Sequence, residues 1–359
     1  MRAGICFLIL TSLTITAHAE ILIGVAGPLT GTYAANGAQM MQGVQAAVDH
    51  FNEAGGVEGE LLEIVTADDA CDNRQAEIAA QSLVQKNVSV VIGHYCSNPS
   101  LAAAKIYEAA GIPMIAPSAS LPALTEADLS NVIRLVARDD AHGRYAANRM
   151  KIDYAADSIA VVGDGTLTSE SLLAQFGATP ALTFAIKPDA ETVDDLVAEL
   201  QSKNIAALYC ACAARDAGFI ATQISAANLT IKIFGPDSLL VPQFWEKSGD
   251  SGEGTFVSFA VDPQANAAAR KVVKQFTDAE QNADGATLPS YAAVQLFAAG
   301  AEKMGAKNGR GISAYLHSGA SFPTVIGTLS FDAKGDVREP RLVWYVWSKG
   351  KFATEYIAK

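Results

Sequence analysis

The sequence predicts an α/β protein built from two doubly wound parallel-sheet lobes. Three observations point there. Short apolar runs of strand length alternate with helical segments nearly from end to end. The alternation then starts again after about residue 155, giving two sets of the same kind. Finally, half of the 359 residues are apolar and only 18% are charged, a composition suited to large sheets covered by helices and unlike that of a disordered chain.

The elements follow in order. MRAGICFLILTSLTITAHAE places Arg2 before an apolar core from Ile5 to Leu13 and ends in Ala17-His18-Ala19, so residues 1–19 read as a cleaved export signal. The apolar run falls short of the roughly 20 residues that cross a bilayer, and Cys6 lies too early in it to be a lipid attachment site. An exported, soluble, periplasmic protein is expected. Roughly 340 residues remain, more than one core usually organises, so two lobes are the default. In the first set ILIGVAGP, ELLEIVTADD, VSVVIGHYC and IPMIAPSAS are buried strands with a helix between each pair. The first helix, within GAQMMQGVQAAVDHFNEAGG, puts Met41, Val44, Val48 and Phe51 on one face and stops at Gly55-Gly56. SIAVVGDG, ALTFAIK, IAALYCACA and TIKIFGPD form the second set, with LVAELQSKN and FIATQISAANL as helices. Strand-helix alternation of this kind implies right-handed crossovers and parallel pairing. Two further helices fall in 269–305, and 323–352 reads as a terminal hairpin. The chain is thus expected to cross between lobes near residues 139, 261 and 340, giving lobe 1 as 20–139 with 262–340 and lobe 2 as 140–261 with 341–359.

Charge and cysteines narrow the function. The balance is 26 basic to 38 acidic residues, with no concentrated basic stripe, so no nucleic-acid partner is expected. Four cysteines follow the signal: Cys71, Cys96, Cys210 and Cys212. In an oxidising compartment they allow three pairings if all are bonded. The preferred bridge joins Cys71 to Cys96, because both sit just past apolar strands whose ends would be neighbours. Cys210 and Cys212, two apart in an apolar run, read as small buried residues. No cysteine or histidine spacing fits a zinc site, so neither a metal nor another cofactor is expected.

Polar residues collect at the predicted strand ends, where open parallel sheets bind small ligands and helix N-termini present free N–H groups. VSVVIG runs into His94-Tyr95-Cys96-Ser97, then Asn98 and Pro99 open a helix. MIA runs into Pro117-Ser118-Ala119-Ser120, and IKIF into Gly235-Pro236-Asp237. Hydroxyls on one lobe suit a carboxylate, and an aspartate on the other suits an ammonium. Each residue also has a plainer role: Ser97 or Asn98 as a helix N-cap, Ser118 and Ser120 as loop residues, Asp237 as part of a turn. Their joint placement favours a zwitterion held between the lobes.

PLTGTYAANGAQ, GVQAAVDHFNEAGGV, ADDACDN, VIGHYCSNPS, GIPMIAPSAS with PALT, GPDSL and FDAKGD stand in the order found in one family. On these segments the chain resembles the periplasmic solute-binding proteins of branched-chain amino acid ABC transporters, the leucine/isoleucine/valine-binding family, over essentially its whole mature length. ADDAC with GHYCS is the most specific part and supports the Cys71–Cys96 bridge separately. The resemblance implies two lobes joined by three crossovers and a cleft that closes on an amino acid, with a membrane permease as partner for a monomeric binding protein. It places the carboxylate on Ser97 and on Ser118 to Ser120, where the family's last position is usually threonine, and the ammonium on Asp237, where glutamate is common. Three aromatic positions of the branched-chain pocket fall on Asn36, Thr168 and Ala213. The zwitterion-binding half is retained and the side-chain pocket altered, so leucine, isoleucine and valine are candidates beside other amino acids, amides and acids. A ligand-sensing receptor domain is the alternative of another class. An enzyme is not expected: GDSGEG at 249–254 shares letters with a trypsin-like nucleophile loop but lies in an α/β pattern, and there is neither a G-x-S-x-G elbow nor an H-E-x-x-H pair. Cys96 beside His94 would be inert once bridged.

Overall fold

The computed structural model describes residues 20–177, 179–187 and 190–355; the expected export signal lies outside the described residues. The first lobe opens with β1 (Glu20–Gly27), α1 (Ala34–Glu53), β2 (Leu61–Asp68), α2 (Asn73–Gln85), β3 (Val90–Gly93), α3 (Ser97–Ala110), β4 (Met114–Ala116), α4 (Ala123–Glu126) and β5 (Val132–Arg134). The second comprises α5 (Ala141–Asp153), β6 (Ile159–Gly163), α6 (Leu167–Ala174), β7 (Leu182–Ala185), α7 (Ala190–Ser202), β8 (Ala207–Ala211), α8 (Ala214–Ala226), β9 (Lys232–Gly235), α9 (Pro242–Ser248) and β10 (Phe256–Ala260). Then come α10 (Arg270–Asp278), α11 (Thr287–Met304), α12 (Gly309–Leu316), β11 (Phe322–Thr324), β12 (Gly327–Leu329), β13 (Leu342–Ser348) and β14 (Lys351–Thr354).

The first sheet is all parallel, in the order β2-β1-β3-β4-β5. The second repeats that order as β7-β6-β8-β9-β10 and adds β13 and β14 antiparallel at its edge. Both faces of each sheet are covered, which is why the strands read as unbroken apolar runs. In β1, Ile21, Ile23 and Val25 join one core with Val44 and Val48 of α1 and Leu288 and Tyr291 of α11. Ala26 faces the other, with Leu83 of α2 and Ala103 and Tyr107 of α3. The same division in the second lobe sends Val162, Leu208, Cys210 and Ile233 one way and Val161, Tyr209 and Phe234 the other.

Chain order and sheet order part company in three places. The chain leaves the first sheet after Arg134, returns after Ala260 to lay α10 to α12 on the first lobe, and crosses again before Leu342. The segment 323–352, expected as one hairpin, is two. β11 pairs with β12, β13 pairs with β14, and the linker between them turns at Asp332 to Asp336. That linker is fastened to β5: Arg134 N donates to Gly335 O at 2.9 Å and Arg134 Nε to Asp336 Oδ1 at 2.7 Å. Gly335 has φ +87°, and a Cβ there would meet Val132 O at 1.9 Å, so only glycine allows this approach.

The disulfide Cys71–Cys96 forms as expected, with Cα atoms 5.6 Å apart. Cys210 and Cys212 are buried as expected, and they are also bonded to each other across Ala211, Cα atoms 5.4 Å apart. Residues i and i+2 of a strand point to the same face, so Cys210 at the end of β8 and Cys212 just past it can meet without leaving the core. Among the described residues, no helix is long and apolar enough to cross a membrane.

Candidate functional site

The site begins at the end of β3, the point in the first sheet where strand order reverses and a crevice opens. Gly93, with φ +142° and no room for a Cβ against Ala26 O, lets the chain turn there. His94 points back into the lobe. Its ring is fully buried between Asp69, Oδ2 to Nδ1 2.6 Å, and Tyr107, whose hydroxyl lies 3.1 Å from Nε2. Burial and the Asp69 carboxylate push the Tyr107 phenol up. This triad braces the turn from behind and takes His94 away from any ligand.

Ser97 is the first residue of α3, and the N-cap position falls on Cys96, whose side chain makes no cap bond. The capping role expected of Ser97 is therefore not what its hydroxyl does. Ser97 Oγ accepts the backbone N–H of Ser120 at 3.1 Å and of Leu121 at 3.2 Å, tying the loop after β3 to the loop after β4. Its own proton remains to be donated.

A cavity of about 620 Å³ lies where the two lobes face each other. Tyr95, Ser118 and Ser120 line it from the first lobe and Asp237 from the second. Asp237 stands after β9, the strand that occupies in the second sheet the place β4 occupies in the first, so hydroxyls and carboxylate approach from equivalent ends of the two lobes. Its turn is held by Leu240 N to Asp237 O at 2.8 Å, and by Trp347 Nε1, which donates to Leu239 O at 3.0 Å. The crossover segment adds Asp139 and His142, and β10 and β13 add Phe259 and Tyr345, edge to face at 6.0 Å. Burial raises the Asp139 carboxyl above the ordinary aspartate range; a hydrogen bond from Ser120 opposes this and the Asp237 charge adds to it.

The sequence-predicted residues thus divide. Ser118, Ser120 and Asp237 share the cavity wall, and Ser97 stands one layer behind the serines. Asn36 also lies behind the wall, donating from Nδ2 to the hydroxyl of Tyr95 at 2.9 Å. Thr168 is exposed on the first turn of α6, away from the cavity lining. Ala213 is the N-cap of α8, its N–H bound to Asp164 Oδ2 at 3.1 Å. Sequence reasoning passed over Asp139 and His142. Their signal was the DDAHG run at the first crossover, acidic and imidazole groups where the chain must pass between the lobes. A second hollow, about 420 Å³, lies by Arg138, Asp140 and Asp336. Arg138 is taken up there by its neighbours, lying 2.7 Å from both Glu126 and Asp140 and 3.3 Å from Asp336.

The sequence profile of the periplasmic binding protein family matches residues 20–350. The chain belongs to that family. It is 32% identical over 355 residues to the Leu/Ile/Val-binding protein homolog 2 of Brucella abortus, covering 97% of this chain and 96% of the relative. A solved structure from Rhodospirillum rubrum, described as a putative branched-chain amino acid ABC transporter, superposes with a TM-score of 0.76 at 25% identity over 94% of this chain and all of its own. The substrate-binding protein of an ABC transporter from Desulfitobacterium hafniense, solved in complex with Leu, has a TM-score of 0.75 at 24% identity, with 94% of this periplasmic binding protein and 100% of that chain covered. At that identity the likeness carries the two-lobed fold alone.

Proposed function

We propose that this periplasmic binding protein is the extracytoplasmic solute-binding component of an amino-acid ABC transport system. It holds a zwitterionic amino acid in the interlobe cavity and delivers it, as a monomer without enzymatic activity, to a membrane permease. One observation carries the reading: Ser118 and Ser120 of one lobe and Asp237 of the other meet on a single cavity, donors for a carboxylate facing an acceptor for an ammonium. The relatives named for leucine, isoleucine and valine support amino acids as the class. Residues 1–19 export the chain, so the exported protein begins at Glu20.

A thermal-shift screen of the exported protein over the amino acids, with amides, polyamines and keto acids as controls, tests this. A ligand present at a hundred times its Kd adds about 2.7 kcal/mol to the folded state. At least one amino acid is expected to raise the melting temperature with the keto acids inert; an intact mass that includes residues 1–19 would remove the export step, and no amino acid binding would remove the function.

Ser97 is placed by this reading on the ligand carboxylate, its oxygen holding two backbone N–H groups and its proton donated outward. Ser97→Ala is expected to weaken binding of the screened ligand by about 1.5–3 kcal/mol, the worth of a hydrogen bond to a charged group. Ligand-free stability should fall by only about 1 kcal/mol. Calorimetry beside denaturant titration separates the two, and an unchanged affinity would leave Ser97 a bridge between loops and nothing more.

A further inference from the structure

We infer that the cleft selects an amino acid with a cationic side chain, and that His142 is a specificity-determining residue whose Nε2 accepts a hydrogen bond from that side chain. The inference rests on the amino-acid-binding reading above and narrows it to a charge class.

The tautomer of His142 follows from its neighbours. Ser258 Oγ donates to Gly235 O at 3.3 Å. Gly235 O can only accept, so we assign the one hydroxyl proton to it; Ser258 is then an acceptor toward the ring, and His142 Nδ1, 2.8 Å away, carries the hydrogen. In the neutral ring the proton on Nδ1 leaves a bare lone pair on Nε2. The His142 residue is 5% exposed and lines the cavity, so what remains open of it faces the cleft. An acceptor open to the cleft loses its water when a ligand covers it, and is then costly to leave without a donor. The missing donor is best supplied by what enters the cavity.

The charges agree. Asp139 and Asp237 stand in the wall, and Asp262 and Asp284 at its exposed margin, while the lining contains no lysine or arginine. One α-ammonium answers one of the two inner carboxyl groups and leaves the other facing the ligand without a donor from it. An aliphatic side chain would also strip water from that carboxylate and from Nε2 while offering them nothing. An ammonium or guanidinium answers both, and the rings of Tyr95, Phe259 and Tyr345 are neighbours a cation tolerates.

Calorimetry of the whole exported protein with lysine, ornithine, arginine and leucine tests this. At least one basic amino acid is expected to bind about tenfold or more tighter than leucine, with the preference shrinking as salt is raised. His142→Asn puts an amide N–H near the place of Nδ1 and removes Nε2. It should lower the affinity for the basic ligand roughly ten- to a hundredfold and that for leucine by less, so that the preference between them shrinks, with the ligand-free melting temperature read beside both. His142→Gln, whose amide oxygen reaches toward the Nε2 position, should recover part of the loss. Leucine binding as tightly as every basic amino acid overturns the charge selection and leaves the solute-binding function standing. A His142→Asn protein that binds the basic ligand as the wild type does overturns the role of His142. Binding of no amino acid of either kind overturns the underlying reading, and this inference with it.

Discussion

Asp336→Ala is expected to cost about 3–5 kcal/mol of folding stability, the usual penalty for removing one partner of a buried ion pair. Arg134 is fully buried in β5, and Asp336 is the group that makes this tolerable. The carboxylate takes Arg134 Nε at 2.7 Å on one oxygen and the Thr125 hydroxyl at 2.9 Å on the other, with Arg138 at 3.3 Å. Arg134 Nη1 donates to Leu121 O at 2.7 Å, and Nη2 is also bonded to Thr125. Without Asp336 the guanidinium keeps its desolvation cost and loses its counter-charge. Denaturant titration of the ligand-free protein reads the loss directly. The double replacement Arg134→Met with Asp336→Leu, which removes both charges, should recover much of it; a double variant no more stable than Asp336→Ala would show that the unpaired charge is not the cause.

Asp237→Ala acts on binding instead. It should lower affinity for the ligand identified by the screen by about 2–5 kcal/mol, because the ligand ammonium would remain in a partly dehydrated cleft with its partner gone. Ligand-free stability is expected to hold or rise, since Asp237 is one of the charges that push the Asp139 carboxyl up. Asp237→Asn, keeping an acceptor without the charge, should fall between. Calorimetry on the three proteins decides it, and wild-type affinity in Asp237→Ala would take the ammonium away from this residue.

What could be read from residues alone follows from what each strand does. β1, β3, β6, β8 and β9 are buried on both faces, so their apolar runs announce them. β5 was missed because it is three residues long and ends in an arginine, a residue that reads as solvated until its partner, 202 positions away, is known. The terminal hairpin was misread for the same reason: the turn at Asp332 to Asp336 belongs to a distant strand. At the site, Ser118, Ser120 and Asp237 could be proposed from strand ends because topology dictates where those ends point. Ser97 could be placed near them, but its bond to Ser120 and Leu121 depends on how closely two loops approach, which no local pattern encodes. Asp139 lies on a connection between lobes and His142 in the first turn of the helix that follows it, where strand-end reasoning does not look.

The interleaving of chain and sheet also governs when each half can become a folding unit during synthesis. The first sheet is complete at Arg134, yet the helix that seals one of its faces, α11, does not begin until Thr287, and the second sheet waits for β13 at Leu342. A nascent chain that has emerged as far as Ala260 therefore has Ile21, Ile23 and Val25 covered by α1 but not by α11, and Phe256 to Ala260 without the antiparallel neighbour that flanks them. Domains usually fold one after another as they are made. Here neither lobe can close early, and the polypeptide stays a threadable, unfinished chain until nearly its last residue has appeared.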